Sequence, residues 1–181
     1  MTPFLLRVWR AALLHADTYE EVEADRSSLG QASTVVAVAC LAGAVSQGLI
    51  WRELPAEELV LRVAVDVINT LALWLVGSAF AFMVGASFFR GPETETDYLE
   101  VLRTTGFAFG PAVLRLLGGV PPAELGMSID LAARLWVFVA AVVAIRQALD
   151  YTTLRAVGTF GAAAVLVFLV MWGLAVAPLP F

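Results

Sequence analysis

The side chains that could do chemistry are few. His15 is the sole histidine and Cys40 the sole cysteine. His15 precedes an acidic segment and reads as a solvated or headgroup-facing side chain. Cys40 sits within an uncharged apolar run with no histidine near it, and reads as a small packing residue. There is no H-E-x-x-H pair for zinc, no G-x-S-x-G nucleophile elbow and no glycine loop for a phosphate. The expectation is therefore a non-enzymatic protein with no catalytic centre, no metal and no cofactor. The polar residues that need explaining are those inside apolar stretches: Asp66, Asn69, Arg115 and Arg134. An ionised side chain at the middle of a bilayer costs about 2.5–3.5 kcal/mol on insertion scales, so Asp66 needs a partner or water. Pairing with Arg115 or Arg134, assisted by Asn69, is economical, and Arg62 is a third candidate one turn away. Two readings follow. The group is a structural ion pair that fixes helix packing, or it is a polar vestibule near the outer leaflet for an ion, a lipid headgroup or a polar solute. The excess of arginine over Asp66 favours an anionic ligand in the second case.

The elements that must position these residues follow from composition. Of 181 residues, 60% are hydrophobic and 15% charged, with a mean hydropathy of +0.85. Soluble domains average about 45–50% apolar and about 25% charged, so this chain cannot hide its apolar surface from water. The same values exclude disorder, and one cysteine excludes a disulfide scaffold. A net charge of −5 excludes nucleic acid as a partner, which calls for a basic face. The expected fold is an all-α membrane bundle of five transmembrane helices, since a span needs about 20 apolar residues. The spans fall at about 31–51, 59–89, 98–117, 129–149 and 153–177, forming a membrane domain over 31–177. Arg90-Gly91-Pro92, Gly118-Gly119 and Pro121-Pro122 punctuate the connections.

Residues 1–30 form a separate cytoplasmic segment. Phe4, Leu5, Val8, Trp9, Ala12 and Leu13 recur at helical spacing with Arg7 and Arg10 opposite, which suits a short amphipathic helix at the interface or against the bundle. Asp17 with Glu20, and Ser28 with Gln31, read as helix-capping pairs. Two acidic runs, Glu20, Glu21, Glu23, Asp25 and Glu93, Glu95, Asp97, Glu100, form a collar. Within it Glu20, Glu21 and Glu23 are a candidate surface for a protein partner. Arg7, Arg10, Arg26, Arg90, Arg103, Arg146 and Arg155 lie on the N-terminal side, and Arg52 alone lies clearly in an opposite loop. The arginine bias places the N-terminus in the cytoplasm and Phe181 outside a plasma membrane. Small residues at four-residue steps, as in Gly77, Ala81 and Gly85, allow close helix packing within the bundle or in a homo-oligomer.

One run carries a resemblance. Tyr98-Leu-Glu-Val-Leu-Arg103-Thr-Thr-Gly106-Phe107-Ala108-Phe109-Gly110-Pro111 is similar to the Yip1 domain, whose third span bears a Gly-aromatic-x-x-x-Pro signature here matched by Gly106, Phe107 and Pro111. The stretch from Asp17 to Asp25 and the run from Ile145 to Tyr151 look like prokaryotic members. The resemblance covers about Asp17 to Trp172. It implies five membrane helices with a cytosolic N-terminus. Eukaryotic members resemble trafficking factors associated with Rab GTPases. This chain lacks their Asp-Leu-x-Gly-Pro pattern, so that role does not carry over. Two functions remain: a membrane scaffold or adaptor, or a small transporter, channel or lipid-handling protein using Asp66, Asn69, Arg115 and Arg134.

Overall fold

A computed structural model of the chain describes residues 3–88 and 97–176. Glu93, Glu95, Arg90 and Phe181 lie outside the described residues. Among the described residues, four helices are long and apolar enough to cross a membrane. They are α3 (Ser28–Ile50), α4 (Ala56–Phe88), α6 (Ala123–Ala148) and α7 (Thr153–Val176). Two short helices precede them, α1 (Phe4–Ala12) and α2 (Ala16–Ala24), and α5 (Tyr98–Phe107) stands between α4 and α6.

The stretch expected as an unbroken third span is instead two elements. α5 ends at Phe107 and a 3-10 helix runs over Gly110–Gly119. Pro111 opens the second element, where it lacks the N–H that would continue an α-helix and its ring crowds the preceding turn. α5 itself starts on a capping box: the Asp97 carboxylate accepts the Glu100 amide at 2.9 Å while Glu100 Oε2 accepts the Asp97 amide at 2.9 Å. The capping pairs expected elsewhere differ. His15, not Asp17, precedes α2, and Ser28 spends its hydroxyl on the Val22 carbonyl at 2.9 Å.

The 3-10 geometry decides what this segment buries. Side chains three apart eclipse one another in such a helix. Ala112, Arg115 and Gly118 accordingly form one buried row, while Val113, Leu114, Leu116 and Leu117 are exposed. The buried row packs between α3 and α6. Its close approach needs glycine on both sides: a Cβ on Gly126 would collide with the Gly118 carbonyl, and one on Gly118 with the Ser46 hydroxyl. The exposed apolar side chains of α3, α4, α6 and α7 form the outer surface, as expected where lipid and not water is the solvent.

Substituting Gly126→Ala is expected to lower thermal stability in detergent by about 1–3 kcal/mol, because rigid backbone opposes the new methyl. Gly161→Ala, with open space around its Cα, is expected to be neutral or stabilising by up to about 1 kcal/mol. Equal melting temperatures for the two variants would contradict this packing.

Candidate functional site

Three elements bring charged side chains to one point. α4 supplies Asp66, the 3-10 helix Arg115, and α6 both Asp130 and Arg134. Arg115 donates through Nη2 to Asp66 Oδ1 and through Nε to Asp130 Oδ1, each at 2.8 Å. Arg134 donates through Nη2 to Asp66 Oδ1 at 2.6 Å and through Nε to Asp130 Oδ2 at 2.7 Å. Ser46 on α3 adds a hydrogen bond to Asp130 Oδ1 at 2.7 Å. Each carboxylate is thus held by both guanidiniums, and the net charge is zero. The Arg115 and Asp66 side chains are 4% and 6% exposed, whereas Arg134 is 37% exposed. Gly43 makes the room, since a Cβ there would overlap Asp66 Oδ2 and Arg115 Nη1. Asp66 Oδ2 has no hydrogen-bond partner among the described residues.

Both expected arginines therefore meet Asp66. Asn69 does not join the cluster: it is exposed and lines a groove on the α3–α4 side. Nor does Arg62, whose guanidinium lies 4.5 Å over the Trp51 ring. Sequence reasoning missed Asp130 and Ser46. The available signal was the i, i+4 spacing of Asp130 and Arg134. It was obscured because α6 begins at Ala123, well before the expected start near residue 129. With Asp130 counted, the arginine excess disappears, and with it the preference for an anionic ligand at this point.

The residues that carried the family resemblance form the joint between α5 and the 3-10 helix. Phe107 is fully buried and meets Phe4 edge-on, with centroids 6.4 Å apart. A Cβ on Gly106 would lie 2.7 Å from the Ala32 Cβ. Beside it, Trp74 Nε1 donates to the Leu102 carbonyl at 2.9 Å. Close helix contact and a stop to the α-helix meet here within six residues.

The acidic segment is docked on the same end of the bundle as the start of α5. Tyr19 and Val22 are fully buried, and Tyr19 donates to the Ala11 carbonyl at 3.0 Å. Arg7, itself buried, donates to Asp25 at 2.8 Å and lies 3.8 Å from Glu21, which Arg10 approaches to 3.5 Å. Trp136 on α6 donates to the Ala12 carbonyl at 2.9 Å, and Arg103 on α5 to the Glu23 carbonyl at 2.6 Å. Glu20 is exposed and accepts from Gln147 at 2.8 Å. The Ser27 hydroxyl, with Arg7, holds Asp25 down at about 2. Burial, reinforced by Asp150, Glu100 and Glu20 and opposed by Arg103, pushes Glu23 up to about 7.

An apolar helix bundle whose charges cancel internally defines an integral membrane protein. The chain belongs to the Yip1 domain family, whose model matches residues 11–175. No curated protein and no solved structure matches it.

Removing one member of the cluster leaves an uncompensated charge in low dielectric. Asp66→Leu and Arg115→Met are each expected to cost about 3–5 kcal/mol, and the two combined to cost much less than the sum of the singles. Additive losses in a double-mutant cycle on melting in detergent would contradict the coupling.

Glu23 binds its proton more tightly folded than unfolded, since its value rises from 4.5 to about 7. Its contribution to α2 docking is complete below about pH 4.5 and is lost as pH climbs through 7. Asp25 acts in the opposite sense, but only as pH falls toward 2. Hydrogen exchange of α2, corrected for intrinsic rates, is therefore expected to be slower at pH 5 than at pH 8. Glu23→Gln should flatten that difference; an unchanged pH dependence would exclude Glu23 as its source.

Proposed function

We propose that this Yip1 family protein is a non-enzymatic membrane scaffold or adaptor that offers α1 and α2 to a cytoplasmic protein partner. The observation that carries the reading is that α2 is fixed to the bundle before any partner arrives. Its buried face is closed by Tyr19 and Val22, and its C-terminal end is tied by Arg7 to Asp25 and by Arg103 to the Glu23 carbonyl. A surface already ordered loses little conformational entropy on binding. Asp17 and Glu20 are exposed, Glu20 with a hydrogen bond from Gln147 of α6. Glu21 and Glu23 are committed to Arg7, Arg10 and the half-buried acidic cluster. The partner surface is thus centred on Asp17 and Glu20, with Glu21 and Glu23 behind it.

The arginine distribution orients this platform toward the cytoplasm of a plasma-membrane protein. α5 and the 3-10 helix act together as the fifth crossing. Ten residues at 1.5 Å and ten at 2.0 Å give about 35 Å, against a hydrocarbon core of about 30 Å. The C-terminus then lies outside, the 31–177 domain is surrounded by lipid, and the exposed apolar face of α1 (Leu5, Leu6, Trp9, Leu13) lies at the interface.

A conduit is less well supported. The ion cluster ties four elements together; the groove of about 420 Å³ that reaches Asp66 is an open one, and the cavity lined by Arg115 and Arg134 holds only about 60 Å³, room for a few waters.

A photo-cross-linker replacing Asp17 in native membranes is expected to capture a cytoplasmic protein, and Glu20→Gln to reduce its recovery about threefold or more. Glu53→Gln, at the opposite end, should not. Capture of an extracytoplasmic protein would overturn the orientation, and recovery indifferent to Glu20 would overturn the platform.

A further inference from the structure

We propose that the groove between α3 and α4 binds a phospholipid headgroup that carries a primary ammonium. The groove has a volume of about 420 Å³ and is lined by Gln47 of α3 and by Glu58, Leu61, Arg62, Val65, Asp66 and Asn69 of α4. The polar members of α4 fall at i, i+4, i+8 and i+11, which is one helix face. Eleven residues span about 16 Å, so the polar face covers about the first third of α4, whose 33 residues at that rise outrun a core some 30 Å thick. Arg62 and Asn69 are exposed there. Polar side chains turned to hydrocarbon are costly, so this face needs water or a polar ligand against it. At its base lies Asp66, more than nine-tenths buried, its carboxylate turned to Gly43, Arg115 and Arg134.

Charge selects the ligand class. Asp66 is already neutralised by Arg115 and Arg134. The groove's own charges are then Arg62, positive, and Glu58, negative, one helical turn apart. A net-neutral site with its two signs one turn apart matches a zwitterion, not a bare anion or cation. The Arg62 guanidinium carbon lies 4.5 Å from the Trp51 ring centroid, a cation–π contact that anchors the group and leaves N–H donors for phosphate oxygens. Glu58, and the amide oxygens of Gln47 and Asn69, are acceptors for an ammonium linked to that phosphate by two carbons. A quaternary choline has no N–H to give them, so those acceptors would go unsatisfied. The aromatic face that could hold choline by cation–π attraction is taken by Arg62. Leu61 is 64% and Val65 47% exposed at the margin, where the acyl chains would leave the groove for the bilayer.

The test is native mass spectrometry of the full chain in detergent with equimolar phosphatidylethanolamine, phosphatidylcholine and phosphatidylglycerol of matched acyl chains. Wild type is expected to retain phosphatidylethanolamine about three- to tenfold over phosphatidylcholine. Glu58→Gln should bring the two to parity, and Arg62→Gln should weaken both. Both positions are exposed, and Glu53→Gln serves as an unaffected control. Equal retention of the ethanolamine and choline lipids by wild type would overturn the proposal, as would a preference for phosphatidylglycerol or a selectivity that Glu58→Gln leaves intact.

Discussion

Two carboxylates and two guanidiniums share one buried point in this bundle, and the rest of the architecture is arranged around making their charges cancel there. In a medium of low dielectric an uncompensated ion is worth several kcal/mol of destabilisation, and attraction between opposite ions offsets that only at contact distance. Contact between α4, α6 and the 3-10 helix requires backbones close enough for short reach. Gly43, Gly118 and Gly126 supply that approach, each at a position where a methyl group would strike a neighbour. The 3-10 helix supplies the direction, because its threefold period puts Arg115 on the same buried row as Ala112 and Gly118. Proline, glycines and ion cluster are therefore one structural device.

A second charge constraint organises the opposite end. Arg7 is 5% exposed, so the polar face of α1 turns inward to Asp25 and Glu21. The apolar face divides. Phe4, Val8 and Ala12 pack toward the bundle while Leu5, Leu6, Trp9 and Leu13 face out. Leu14 turns the chain back with φ of 64°, a left-handed conformation that costs a non-glycine residue about 1–2 kcal/mol. The buried ion pairs and the Tyr19 hydroxyl bond hold that turn closed. A helix tethered in this way is a fixed part of the domain.

The two ends thus differ in kind. At the end that carries α2, buried aromatic and aliphatic side chains secure a short acidic helix. At the other, a polar face on α4 descends to a neutral cluster and stops. Rigidity at the cluster and openness above it are consistent with a protein that holds shape and binds at its margins.

Composition and spacing alone determined the membrane class, the presence of four long apolar helices and the family, and required that Asp66 find a counter-charge or water. These were legible because hydrocarbon imposes local rules: a span must be long and apolar, and a charge within it must have a counter-charge. The folded chain decided the remainder. That Asp130 balances the second arginine, that Asn69 and Arg62 turn away into a groove, and that the third apolar stretch changes from α to 3-10 all depend on which neighbours lie within a few ångströms. No one-dimensional period encodes such neighbours, because they come from elements far apart in the chain, as Ser46 and Asp130 do, and meet only when the glycines between them let the backbones close.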